Sequence, residues 1–260
     1  MGQQWQAIIL AGDRGADDPV ATAGQASCKA SAVVGKQMLV ANVFDALMSA
    51  TCIDSLLQCG PAREQIQKSV ELSQFIESNT VRWIAPESSP SRSAKSAVSQ
   101  VNEYPVLLIT SDLPLVSSEH IDAFCKEALR SEADIVACAI PHEQIKDKIP
   151  ELKKTRYQFA QQALCFANVF ALRTERSTRA LEFWKQVEDV RKQPLKIVSM
   201  LGAGSLLRYK TGRLTLTEAA ARLSNKTGVL VDVVTMSIPE LAIDVDSADD
   251  YEIMSRFCQE

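Results

Sequence analysis

Three short stretches of this chain deliver charged or glycine residues directly after apolar runs, which is how a buried strand presents chemistry at a sheet edge. In the first, Ala7-Ile8-Ile9-Leu10 feeds into Ala11-Gly12-Asp13-Arg14-Gly15, and a lone basic residue, Lys29, follows. A glycine-punctuated loop lets backbone N–H groups approach and cradle phosphates, while Arg14 and Lys29 can neutralise their charge. A nucleotide is therefore the first ligand to expect. The bland reading is a strand-to-loop turn with two solvated cations. In the second stretch, Val106-Leu107-Leu108-Ile109-Thr110 runs into Ser111-Asp112-Leu113-Pro114-Leu115. In a parallel sheet this sets Asp112 on the same edge as Gly12, suited to Mg²⁺ bound through carboxylate and phosphate oxygens. A turn or cap aspartate before Pro114 is the competing account. The third stretch, Leu241-Ala242-Ile243-Asp244-Val245-Asp246-Ser247, puts Asp244 and Asp246 on one side after a short strand. Either can complete a metal site, or both can belong to an acidic helix start favoured by the helix dipole.

Commoner nucleotide motifs are excluded by spacing. There is no G-x-x-x-x-G-K-[ST], and Gly12-Asp13-Arg14-Gly15 does not complete G-x-G-x-x-G. With only His120 and His142, a multi-histidine metal centre is not expected, and no Ser-His-Asp set is visible.

The elements that must position these residues alternate through the first half. Strands are expected at 7–10, 53–58, 81–84, 106–110 and 134–140, with helices at 38–50, 63–77 and 118–130. The serine-rich segment 88–100 leads into a further helix. This βαβα order predicts a three-layer α/β/α fold with a mainly parallel central sheet. The second half is less regular. It offers one or two strands around Asn168 within 164–172, helices at 177–190 and 217–223, and a strand at 229–234. Ser247-Ala248-Asp249-Asp250 has capping-box spacing and opens a last helix to Phe257. Without an internal repeat or long linker, 1–260 reads as a single domain. Its nucleotide-binding half covers about 1–144, and its acceptor-binding, metal-completing half about 145–260.

Composition sets outer bounds. The chain has 260 residues, 46% hydrophobic and 23% charged, as expected of a soluble enzyme. A net charge of -4 and 6% aromatic content give neither a field nor a stacking platform for nucleic acid. No apolar run is long enough to span a bilayer, the start lacks signal-peptide order, and Gln6 spoils a myristoylation reading of Met1-Gly2. Seven scattered cysteines without C-x-x-C read as reduced thiols in a cytoplasmic protein. Arg191-Lys192-Gln193-Pro194 offers Lys192 to an acceptor phosphate, or is a solvated basic helix end; Arg208-Tyr209-Lys210 and Arg213 add charge on the same terms.

Together these motifs resemble the MobA-like NTP transferases, whose fold is of the glycosyltransferase-A type. Leu10-Ala11-Gly12 with Lys29 looks like that family's nucleotide loop and phosphate-contacting lysine. Asp112-Leu113-Pro114-Leu115 looks like its metal-binding D-x-P segment, and Ile243-Asp244-Val245-Asp246-Ser247-Ala248-Asp249-Asp250 like its closing I-D-x-[DN]-T-P-E-D segment. The resemblance implies nucleotide binding by Leu10, Ala11, Gly12, Asp13, Arg14 and Lys29, and catalytic roles for Lys29 and Asp112. It also implies Mg²⁺ as cofactor on Asp112 and Asp246, and acceptor contact at Asn168. There are departures: Asp13 replaces the usual second glycine, Gly35-Lys36-Gln37 lacks the usual lysine-proline pair, and Ser88-Ser89-Pro90-Ser91-Arg92-Ser93 replaces a glycine-bearing base-recognition stretch. Cys165-Phe166-Ala167-Asn168 lacks the glycines common before the asparagine, so Phe166 is expected to close part of an acceptor pocket.

The function so implied is transfer of an NMP from a nucleoside triphosphate to a small phosphorylated acceptor, a cofactor precursor or sugar phosphate, releasing pyrophosphate. The acceptor's phosphate is the nucleophile, so positioning and charge stabilisation suffice. Two other readings use the same features. A non-catalytic nucleotide-binding protein would bind an NTP without releasing pyrophosphate, and a glycosyltransferase of related fold would prefer a nucleotide-sugar.

Overall fold

The structure, a computed structural model, describes residues 3–12, 17–79, 82–101, 103–190 and 192–259. Asp13, Arg14, Val81 and Arg191 lie outside them. The first half comprises β1 (Trp5–Leu10), α1 (Pro19–Ala23), a 3₁₀ turn at Lys29–Ser31, β2 (Val33–Val34), β3 (Gln37–Met38), α2 (Leu39–Ser49) and β4 (Ile53–Cys59). It continues with α3 (Arg63–Ile66), α4 (Val70–Ser78), β5 (Arg82–Ile84), α5 (Pro90–Val98), β6 (Val106–Thr110), α6 (Ser118–Ala128) and β7 (Ile135–Pro141). After α7 (His142–Lys148) come β8 (Tyr157–Gln158), β9 (Ala163–Leu172), α8 (Thr178–Val187), α9 (Pro194–Met200), α10 (Ala203–Lys210) and α11 (Leu216–Thr227). Strand β10 (Val231–Thr235), a 3₁₀ turn at Pro239–Ala242 and α12 (Ala248–Phe257) close the chain.

Among the described residues the main sheet has the order β10-β7-β9-β6-β1-β4-β5, with β8 joined to β9. Along that path only the two pairings made by β9, to β6 and β7, are antiparallel. The expected mainly parallel α/β/α architecture is therefore present. Strands buried on both faces need apolar residues throughout, which is why β1 and β6 read as unbroken apolar runs. Ala7, Ile9, Leu107 and Ile109 pack on one face against Val43 and Leu47 of α2, Phe124 of α6 and Met254 of α12. Ile8, Leu10 and Leu108 pack on the other against Ala94 and Ala97 of α5 and Leu181 of α8. No described helix is long and apolar enough to cross a membrane.

Several local expectations are corrected. The helix expected at 63–77 is two helices, because Ser69 accepts the Leu72 N–H (3.1 Å) and starts α4 afresh. The uncertain segment 164–172 is one strand, β9, with a register shift opposite 137–139. Helices α7, α9 and α10 were not anticipated, and the short helix expected at 217–223 runs the full length of α11. In place of the short strand expected before Asp244, the chain makes a 3₁₀ turn at Pro239–Ala242.

Register brings the loop ends together. Leu10 lies beside Cys59 on β4 and Thr110 on β6, so the segments after all three emerge at one sheet edge. Gly60, just beyond β4, has φ +86°, and a Cβ there would sit 3.0 Å from the Ala11 carbonyl and 3.2 Å from the Gly12 nitrogen. Only glycine permits this backbone approach. Gly60→Ala should lower stability by at least about 1–2 kcal/mol, at about 2–4 °C of melting temperature per kcal/mol for a chain near this size. An unchanged melting temperature by calorimetry would show that the contact is not tight.

Candidate active site

The edge above β1 and β6 gathers the residues singled out from the sequence. Leu10 and Ala11 are buried while Gly12 is exposed, and among the described residues nothing lies within 4 Å of where a Gly12 Cβ would be. The backbone there is open to a ligand. Asp13 and Arg14, expected to share nucleotide binding, lie outside the described residues. The N–H of Ala11 is satisfied by the Cys59 carbonyl (2.8 Å), and the N–H of Ser111 by the Leu10 carbonyl (3.0 Å), so the loops after β1 and β6 are tied to the strand ends.

Asp112 follows directly and is buried. The Thr110 hydroxyl donates to its Oδ1 at 2.5 Å. Its carbonyl accepts the Val245 N–H at 3.0 Å, which stitches the segment after β6 to the distant Asp244-Val245-Asp246 stretch. The carboxylate oxygens of Asp112, Asp244 and Asp246 consequently lie within 4.8 Å of one another. Asp246 is steadied from behind, since its N–H is received by Asp250 Oδ2 at 3.1 Å. This corrects the expected capping box. Ser247 Oγ does accept the Asp250 N–H (3.1 Å), but the return bond from Asp250 goes to the Asp246 N–H, not to Ser247.

Each carboxylate meets an ammonium. The Lys29 ammonium bridges Asp112 Oδ2 and Asp246 Oδ1, 2.9 Å from the latter. Lys192 reaches Asp246 Oδ2 at 3.2 Å from a largely exposed position. Lys154 contacts Asp244 twice, at Oδ1 (2.5 Å) and at its carbonyl oxygen. Burial works against the charge on Lys29, yet Asp112 and Asp246 outweigh it and hold the lysine pKa above its ordinary range. Lys154 is raised in the same way by Asp244, again against burial.

Asn168 joins the cluster through Asp244. Its side-chain amide donates to Asp244 Oδ2 at 3.0 Å. It sits where the β7–β9 register slips, and such irregularities commonly re-aim a side chain beside a site. Phe166, two residues earlier, is 36% exposed and stands edge-on to Tyr157 (5.1 Å) and Phe159 (6.5 Å). It forms a braced apolar wall on the same strand as Asn168.

Other expected residues take structural work. The Ser88–Ser93 stretch builds the start of α5, where Ser89 caps the Arg92 N–H, Ser93 receives the Glu87 N–H (2.9 Å) and Ser91 donates its N–H to Glu188 (3.0 Å). Arg208 pairs with Glu218 at 2.9 Å, and the Tyr209 hydroxyl receives the Gln158 N–H at 3.0 Å. Gln37 donates to Asp45 at 3.0 Å. Sequence reasoning missed Lys154 and Thr110. Lys154 lies in the basic run Lys153-Lys154-Thr155-Arg156, a composition signal without distinguishing spacing.

Three carboxylates form a hard-oxygen donor set of the kind that takes Mg²⁺ or Mn²⁺. Asp112 and Asp246 share the Lys29 ammonium, with the Thr110 hydroxyl and Lys192 on their other oxygens, whereas Asp244 has Lys154 on one oxygen and the Asn168 amide on the other. Asp244 also ties Asn168 of β9 and Lys154 of the segment before β8 to this edge.

A family model, the MobA-like NTP transferase domain, matches residues 7–223. No curated protein matches the chain. A solved structure described as a hypothetical transferase from Thermus thermophilus has a TM-score of 0.77 at 24% identity, covering 96% of this chain and 100% of that one. A CMP:2-keto-3-deoxy-manno-octonic acid synthetase complexed with CTP has a TM-score of 0.60 at 9% identity, covering 98% of each chain. A 4-diphosphocytidyl-2C-methyl-D-erythritol synthase from Anaerococcus prevotii DSM 20548 has a TM-score of 0.58 at 14% identity, covering 99% of this chain and 97% of that one. These likenesses establish the fold, and the match across 7–223 establishes the family: the chain belongs to the MobA-like NTP transferases and is a nucleotidyltransferase.

Proposed function

We propose that this nucleotidyltransferase is Mg²⁺-dependent and moves an NMP group from a nucleoside triphosphate to a small phosphorylated acceptor, releasing pyrophosphate. The observation that carries the reading is the convergence of Gly12, Lys29, Asp112 and Asp246 at one sheet edge. In this reading the open backbone at Gly12 takes the triphosphate, with Lys29 neutralising its charge. Asp112 and Asp246 would hold Mg²⁺, which would supply positive charge to offset the negative charge that builds in the transition state. An acceptor phosphate oxygen attacks the α-phosphorus, the bond to the β-phosphate oxygen breaks, and pyrophosphate leaves with the bonding electrons. No protein nucleophile is needed; the chain's contribution is positioning and electrostatics.

Lys192, Asn168 and Phe166 lie on the acceptor side of this reading. Lys192 is exposed enough to move from Asp246 to an acceptor phosphate, and Phe166 walls the approach. The whole of 1–260 is taken as one domain, because β7 from the first half lies in the sheet between β10 and β9 of the second. Cytoplasmic residence is part of the proposal, supported by seven cysteines scattered along the sequence without a C-x-x-C pair. Among them Cys59 and Cys165 are pushed up to about 11 by burial, so both thiols stay protonated at neutral pH.

The test is pyrophosphate release with each of the four common NTPs against a panel of sugar phosphates and phosphorylated cofactor precursors. Asp112→Asn and Asp246→Asn should each cut turnover by at least about a hundredfold while the circular dichroism spectrum stays native. Full activity in either variant would remove that residue from the mechanism. Gly12→Ala gives a sharper check on the nucleotide loop. Among the described residues a Cβ there meets nothing within 4 Å, so stability should hold while the KM for the NTP rises about tenfold, roughly 1.4 kcal/mol of lost binding. An unchanged KM would place the triphosphate elsewhere.

A further inference from the structure

Lys29 stands where the cation of the proposed reaction would have to be. Its ammonium lies between Asp112 Oδ2 and Asp246 Oδ1, the two carboxylates assigned to Mg²⁺. The segments that carry these carboxylates are fixed by bonds that do not involve Lys29. Asp112 is held by the Thr110 hydroxyl at 2.5 Å and by the Val245 N–H on its carbonyl at 3.0 Å, and Asp246 by the bond from its N–H to Asp250 at 3.1 Å. Among the described residues the Lys29 side chain is held by these two aspartates. Its four-carbon stem is free to swing once a better anion is offered.

An ammonium and a divalent cation cannot both sit between the same two carboxylates, because like charges a few ångströms apart repel strongly in a partly buried site. A metal arriving alone would have to break both ion pairs and leave Lys29 a buried cation without a partner. A metal arriving with a triphosphate meets a different balance, since the phosphate oxygens receive the displaced ammonium in the same step.

We propose that Lys29 is an exchangeable counter-cation that holds the Asp112–Asp246 pair in the nucleotide-free enzyme and yields its place to the divalent cation only when a triphosphate accepts its ammonium. Metal and nucleotide then load as one unit. This rests on the nucleotidyltransferase reading of the site, but it makes a demand on the protein that involves no nucleotide. Removing the lysine charge should open the site to metal alone.

The experiment is titration of wild type, Lys29→Met and Lys29→Gln with Mn²⁺ in the absence of nucleotide, following free Mn²⁺ by electron paramagnetic resonance and the melting temperature in parallel. Both variants should bind Mn²⁺ at least about tenfold more tightly than wild type. Their melting temperatures should rise with Mn²⁺ where that of wild type does not. Adding Asp246→Asn to Lys29→Met should abolish the gain. If Lys29→Met does not fold without metal, Lys29→Gln, whose amide can still donate to a carboxylate, carries the comparison. Equal Mn²⁺ affinities in wild type and variants would overturn the exchange, as would a gain that survives Asp246→Asn. A Mn²⁺ gain in the variants with no NTP binding by wild type would keep the counter-cation and refute the nucleotide reading. NTP binding by wild type with equal Mn²⁺ affinities would do the reverse.

Discussion

Carboxylates this close need a cation, and much of the site's construction follows from that requirement. Asp112, Asp244 and Asp246 bring their oxygens within 4.8 Å of one another at a partly buried edge, where unscreened repulsion would otherwise drive them apart. The chain answers with Lys29, Lys154 and Lys192, drawn from segments far apart in sequence. The ion pairs therefore do more than neutralise charge. They fasten the 3₁₀ turn at Lys29–Ser31, the segment between α7 and β8, and the stretch beyond α8 to the final aspartates.

Strand register makes this meeting possible. Because β1 is parallel to both β4 and β6, Leu10, Cys59 and Thr110 end level with one another, and each hands its following residues to the same edge. The antiparallel β9 then passes beside β6 so that its irregular stretch around Asn168 reaches Asp244. The close backbone approach of Gly60 to Ala11 and Gly12 keeps that side of the edge in place. Rigid strand ends with mobile charged side chains suit a reaction that depends on positioning and electrostatic stabilisation.

Much of this was legible in the sequence, and the reasons differ by element. β1 and β6 are unbroken apolar runs because both faces are covered, so their ends, and hence Gly12 and Asp112, could be located. Lys29 and Asp246 followed from the order of motifs, and they do meet Asp112. Alternation could not tell the surroundings of Asp244 from those of Asp246, because the partners of Asp244, Lys154 and Asn168, are 90 and 76 residues away along the chain. Lys154 itself sits in a loop without periodicity. Helices α9 and α10 escaped notice because Leu195 and Leu207 are exposed, so their apolar residues do not mark one buried face. The break at Ser69 was hidden by good helix formers on either side, with the cap visible only once its bond to Leu72 is seen.

The account stands or falls on whether this edge takes a nucleotide together with a divalent cation. The direct measurement is the melting temperature of the wild-type protein with ATP, CTP, GTP and UTP, each with Mg²⁺ and again with EDTA. Ligand at a hundred times its Kd adds about 2.7 kcal/mol, a rise of several degrees for a chain of this size. The predicted result is such a rise with at least one nucleotide, lost when EDTA replaces Mg²⁺. No rise with any of the four, or the same rise with EDTA, would contradict the claim that Gly12, Lys29, Asp112 and Asp246 form a metal-dependent nucleotide site.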